Sequence, residues 1–165
     1  MISEKNYYSQ FSVPQRSLVY QALDEAEKRT TGYYCIPPFR WEQLRYDLLT
    51  QTDQGWEPLP ESQLARVRYF QAVNAANPLD FYRIELNDKS ILAVAERERM
   101  IKNLYPFFVY ILTHEMVHII RLSSILDRQP AIDLSSESEE LRVQDISRRI
   151  LAGSSFQPVL EKFCS

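Results

Sequence analysis

The 165-residue chain is about one domain long, and a domain of that size buries roughly 70% of the surface its unfolded chain exposes. With 45% hydrophobic and 25% charged residues but only 3 Gly and 9 Pro, the composition is globular; it excludes collagen-like and low-complexity chains and disfavours glycine-rich phosphate loops. A net charge of -3 argues against nucleic acid as a direct ligand, because domains that hold duplex DNA carry a basic face.

The first fifteen residues, Met1 to Gln15, lack the basic and apolar stretches of a secretory signal, so the cytoplasm is the expected location. Gln15 to Lys28 places Leu18, Val19, Ala22 and Ala26 at helical spacing after Pro14, which predicts a first helix ended by Arg29-Thr-Thr-Gly32. Cys35 follows, and with Cys164 it makes one cysteine in each half of the chain, read as free thiols. A second helix is predicted from Trp41 to Thr50, and a loop from Gln51 to Pro60, where Gly55, Pro58 and Pro60 fall. Leu64 to Val73 fits a helix or a strand. Its Arg66-Val-Arg-Tyr-Phe70 string superficially resembles a nucleic-acid platform, but in an acidic domain it reads as mixed core and solvent faces. Phe81 to Leu86 alternates as a strand does, and Asn87-Asp88 offers turn chemistry before Ser90 to Val94, so a β-hairpin is predicted over 80–95. Beyond Arg97 the chain reads as helical. One helix has Pro106 in its first turn and runs to about Leu122; another runs from about Ser136 to Ala152, stopped by Gly153. The apolar stretch from Phe107 to Leu122 is broken by His114, Glu115, His118 and Arg121, so it is expected inside the protein rather than across a membrane.

That buried helix carries His114-Glu115-Met116-Val117-His118, the HExxH spacing. Positions i and i+4 lie one turn apart on one helical face, so both imidazoles can aim at one point, with Glu115 at the next angular position. The arrangement suits a zinc ion held by His114 and His118, with Glu115 taking the proton from the metal-bound water. The chain's only two histidines fall into this pattern by chance about once in a thousand. Packing histidines are the bland explanation, and three ionisable groups in an apolar helix would be costly to bury without an ion to use them.

A catalytic zinc site needs a third protein ligand. There is no third histidine, and Arg121 and Ser124 stand where the HExxHxxGxxH pattern requires Gly and His, which excludes a metzincin. The candidates are Asp127, Asp133, Glu137, Glu139, Glu140 and Asp145, with Cys35 and Cys164 as outsiders. Ser136-x-x-Glu139 forms a capping box, which gives Glu139 an ordinary role at a helix start. Glu140 can project from the edge of the Val143, Ile146 and Ile150 face, but Glu139 lies nearer the centre of that stripe, and the helical wheel leaves both open.

HEMVH followed by glutamate on a second helix resembles the gluzincin zinc metallopeptidases, whose third ligand comes from a glutamate helix written roughly E-x-x-small-D/N-x-apolar-small. Glu140-Leu-Arg-Val143-Gln144-Asp145-Ile146-Ser147 is similar to that register, and Glu140 matches the ligand, 22 residues (140 − 118) beyond His118. The small soluble minigluzincins and IrrE-type peptidases are the nearest in flavour, and the resemblance covers about residues 105–152. Gln144 departs from it, standing where the family has Asp or Asn as partner of a ligating histidine.

The resemblance implies an α+β, zincin-like protein, mainly helical with a small β-sheet or hairpin, a buried HExxH helix and a C-terminal glutamate helix. Residues 1–165 would form one domain, with a helical portion at 1–79 and a catalytic portion at 80–165. Zn2+ would be the cofactor, a peptide or protein the substrate, and the 80–95 hairpin the sheet edge along which an extended substrate aligns. Tyr110, one turn before His114, is a candidate for oxyanion stabilisation. The rival readings are a zinc-containing interaction or sensing module with little hydrolytic activity, and an enzyme acting on a non-peptide amide or ester.

Overall fold

A computed structural model describes residues 10–72, 80–123, 125–126, 137–153 and 155–163. The first helix, α1, spans Val13–Tyr33. Ser12 caps it reciprocally: its hydroxyl accepts from the Gln15 amide and the Gln15 side chain accepts from the Ser12 amide. The helix continues past Lys28 through Arg29, Thr30 and Thr31, where the sequence predicts its end. Thr30 and Thr31 stay helical by donating their hydroxyls to the carbonyls of Ala26 and Glu27, and Arg29 pairs with Glu25 one turn back. Val19, Ala22, Ala26 and Thr30 form its buried stripe. These mostly small side chains allow close packing against the HExxH helix, and α1 makes its main contact there.

Trp41 to Thr50 is not a helix. A single turn, α2 (Pro38–Trp41), precedes a strand, β1 (Arg45–Leu49). In this strand Tyr46 and Leu48 turn inward, while Asp47 forms a two-pronged ion pair with Arg83 of the neighbouring strand. Local helix propensity is overridden here by a strand pairing 36 residues away. The ambiguous 64–73 segment yields β2 (Ala65–Phe70), and β3 is Phe81–Leu86. The sheet has the order β1-β3-β2, with β3 central, parallel to β1 and antiparallel to β2.

The 80–95 hairpin is also corrected. Asn87 is the N-cap of a helix, α3 (Asp88–Arg97), its side chain accepting from the Ser90 amide. Ser90 to Val94 therefore continues as helix, burying Ile91, Leu92 and Ala95 at helical spacing. The antiparallel partner of β3 lies upstream at 65–70, so the portion before residue 80, expected to be helical, supplies two of the three strands among the described residues.

Asp88 ties this layer together. Its buried carboxylate accepts from the backbone amides of Phe11 and Gln51, joining the start of α1, the end of β1 and the first turn of α3. Asn at this position offers one acceptor where two are used, leaving a buried N–H unmatched. Asp88→Asn is expected to lower stability by about 1–3 kcal/mol, read from denaturant unfolding curves.

The core centres on α4 (Leu104–Leu122), with Pro106 in its first turn as predicted. Phe107, Phe108, Leu112, Met116, Ile119 and Ile120 are fully buried, so the helix is apolar nearly all round and is enclosed by α1, β2, α5 (Glu137–Leu151) and α6 (Gln157–Phe163). Gly153, at φ +69°, follows the end of α5 as the predicted stop. Among the described residues no helix is long and apolar enough to cross a membrane.

Candidate metal centre

On α4, His114 and His118 lie one turn apart, their rings edge to face with centroids 4.9 Å from each other. The Glu140 carboxylate at the start of α5 lies between them: one oxygen is 3.1 Å from His114 Nε2 and the other 3.0 Å from His118 Nε2. The three ligand atoms lie within 4.8 Å of one another, and His114, His118 and Glu140 form a group positioned to bind a metal ion. His118 is buried and His114 nearly so, whereas the Glu140 side chain is 53% exposed, so the group sits at the floor of an open site.

The electrostatics follow from this placement. Burial opposes a charge on His114, but the hydrogen bond to Glu140 and the negative charges of Glu115 and Glu140 outweigh it and raise its pKa. The hydrogen bonds from His114 and His118 hold the Glu140 carboxyl well below the usual carboxylate range. Glu115 is buried beside the pair, and desolvation pushes its carboxyl upward against the pull of the two histidines. A carboxyl raised toward neutrality can accept a proton and release it again.

Glu139 and Glu140 are adjacent, and the structure separates their roles. Glu139 is buried and takes a two-pronged contact from Arg121, at 2.5 Å from Nε and 3.1 Å from Nη2. Its expected capping partner Ser136 lies outside the described residues, as do the candidate ligands Asp127, Asp133 and Cys164. Glu137 is exposed, Asp145 pairs with Arg148 and Arg149, and Cys35 is exposed at a turn after α1; none of these three joins the ligand group.

Gln144 does not reach a histidine with its amide nitrogen, which donates to the Phe163 carbonyl at 2.7 Å and fastens α6 to α5. His118 Nδ1 is buried with no hydrogen-bond partner among the described residues. Two Nε2 atoms and one carboxylate, converging with an open side toward a cavity, still form a chemically suitable set for a divalent ion. Tyr110 is buried one turn before His114, its ring stacked on Phe163 and 6.4 Å from the His114 ring.

The cavity in front of the group holds about 500 Å³. Tyr110, Ile111, His114, Glu115, His118 and Glu140 line one side, and residues 62–67 line the other. The sequence does not reveal this second wall. It is formed by β2 and the residues just before it, and β2 is the edge of the sheet nearest α4; the strand that the sequence assigns to this role, β3, is central. The Asn87 amide donates to the Leu64 carbonyl, which fixes the alternation along the β2–β3 ladder. Arg66, Arg68 and Phe70 bond toward β3, so the amides and carbonyls of Ala65, Val67 and Tyr69 point to the other edge, which is open among the described residues. The side chains of Arg66 and Arg68 lie across the sheet's other face, engaged by the fully buried Glu85.

No family model, curated protein or solved structure matches the chain.

Proposed function

We propose that the protein is a zinc-dependent peptidase of gluzincin type with a zincin-like fold. The observation that carries the reading is the Glu140 carboxylate between the two HExxH histidines, with Glu115 buried beside them. The open edge of β2 across the cavity supports a peptide as substrate, because an extended chain can continue the sheet there through main-chain hydrogen bonds.

In this reading His114 and His118 present Nε2 and Glu140 presents its carboxylate to the ion. When bound, zinc supplies Lewis acidity that polarises a peptide carbonyl and makes water a stronger acid. Glu115 accepts the proton of the attacking water and passes it to the leaving amine, a role suited to a carboxyl whose pKa is raised by burial. The edge-facing amides and carbonyls of Ala65 and Val67 hold the substrate backbone in line, while Leu64, Ile111 and Tyr110 give the cavity an apolar lining.

One observation favours the second reading, a metal-holding interaction module without hydrolysis: among the described residues, His118 Nδ1 lacks the acceptor that normally orients a ligating imidazole. Incubating the zinc-loaded protein with a mixed peptide library and sequencing new termini by mass spectrometry separates the two. A peptidase yields new termini that disappear with a chelator. A library left intact by zinc-loaded protein favours the module.

A further inference from the structure

Three residues of α4 and two of α5 form a ladder. On α4, His114, His118 and Arg121 occupy positions i, i+4 and i+7, one stripe along a single helical face. On α5, Glu139 and Glu140 are consecutive and therefore point about 100° apart around the axis. Glu140 meets the two histidines while Glu139 meets Arg121, so two neighbouring acids engage successive stations of the same stripe.

The apolar contacts of α5, through Val143, Ile150 and Leu151, fix which face it buries. Apolar burial is non-directional, so the area these three side chains bury does not by itself specify an axial register. A guanidinium–carboxylate fork is directional in distance and in plane. The Arg121 and Glu139 side chains are only 17% and 9% exposed, so the fork is largely shielded from water. Such a pair adds little net stability, since desolvation offsets most of its attraction, and its strength lies in specifying one arrangement. A slip of α5 by a single residue would move its backbone about 1.5 Å and turn Glu140 off the histidines.

We propose that Arg121 and Glu139 are positioning residues for the metal centre: their fork sets the axial register of α5 on α4 and so delivers Glu140 to His114 and His118. The inference rests on the metal-binding part of the function proposed above. It also gives Glu139, the sequence's competing ligand, a distinct role.

The test compares wild type, Arg121→Met/Glu139→Leu and Arg121→Lys. The double variant replaces the pair by apolar side chains of similar size, a change that buried ion pairs commonly tolerate. Arg121→Lys keeps the charge and loses the fork, and it serves where the double variant does not fold. Zinc affinity is read by competition with a chromophoric chelator, the cobalt-substituted visible spectrum reports ligand geometry, and thermal melting of chelator-treated protein reports the fold. The expected result is zinc affinity about 10–100-fold weaker and altered cobalt bands, with melting of the metal-free protein near that of wild type. Wild-type affinity and spectrum in a folded variant overturn the positioning role. Wild-type protein that takes up no zinc overturns the metal reading itself and this inference with it, a failure recognisable because it precedes any substitution.

Discussion

Glu115→Gln is expected to bind zinc as wild type does, to keep its fold, and to lose peptide cleavage by about 10²–10⁴-fold, the range that positioned proton transfer contributes. The substitution conserves shape and removes only the capacity to take a proton. Glu115 is buried within an apolar helix, and burial already disfavours its charge, so a neutral amide there relieves a desolvation cost. Thermal stability should therefore hold or rise while turnover collapses, a split that a structural role for Glu115 would not produce. Cleavage at the wild-type rate would remove Glu115 from the mechanism.

Glu140→Ala is expected to have the largest effect on metal binding. It leaves two imidazoles facing an open cavity, and two ligands do not hold a catalytic zinc. Zinc affinity should fall by well over the roughly 10–100-fold expected for a supporting residue, and Glu139→Ala should stay within that smaller range. The two variants also differ in the metal-free protein. Glu139→Ala strips the partner from a largely buried guanidinium and should lower the melting temperature the more, whereas Glu140→Ala removes the half-exposed acceptor of two histidines and should lower it less. If Glu139→Ala abolishes zinc binding and Glu140→Ala spares it, the assignment of the two acids is reversed.

The HExxH helix is legible in the sequence because its signals are local. Two histidines at i, i+4 in an apolar run fix a face without knowledge of the rest of the fold, and Gly153 marks the end of α5 in the same way. The choice between Glu139 and Glu140 is not local. Glu139 lies on the apolar stripe of α5 and Glu140 at its edge, and Arg121, which claims Glu139, sits 18 residues earlier on another helix. The resemblance to a glutamate helix points to Glu140, and the geometry brings that residue to the histidines.

The elements that differ from expectation share a cause. Arg45 to Leu49 contains good helix formers and becomes a strand because β3 offers a parallel edge and Arg83 offers Asp47 an ion pair. Asn87-Asp88 reads equally well as a turn or a helix start, and the burial of Ile91, Leu92 and Ala95 at helical spacing decides for the helix. With α3 in place of a second hairpin strand, β3 is enclosed between its neighbours, and among the described residues the edge beside the cavity is that of β2. The strand facing the cavity is thus the consequence of pairings that no short window of sequence contains.

The most direct test of the account is the zinc content of the purified protein, measured per chain by elemental mass spectrometry, with His118→Ala prepared in parallel. The account predicts about one zinc per wild-type chain and almost none in the variant. No zinc in either protein, even after addition of micromolar zinc at neutral pH, would contradict it and leave His114, His118 and Glu140 as a hydrogen-bonded cluster without a metal.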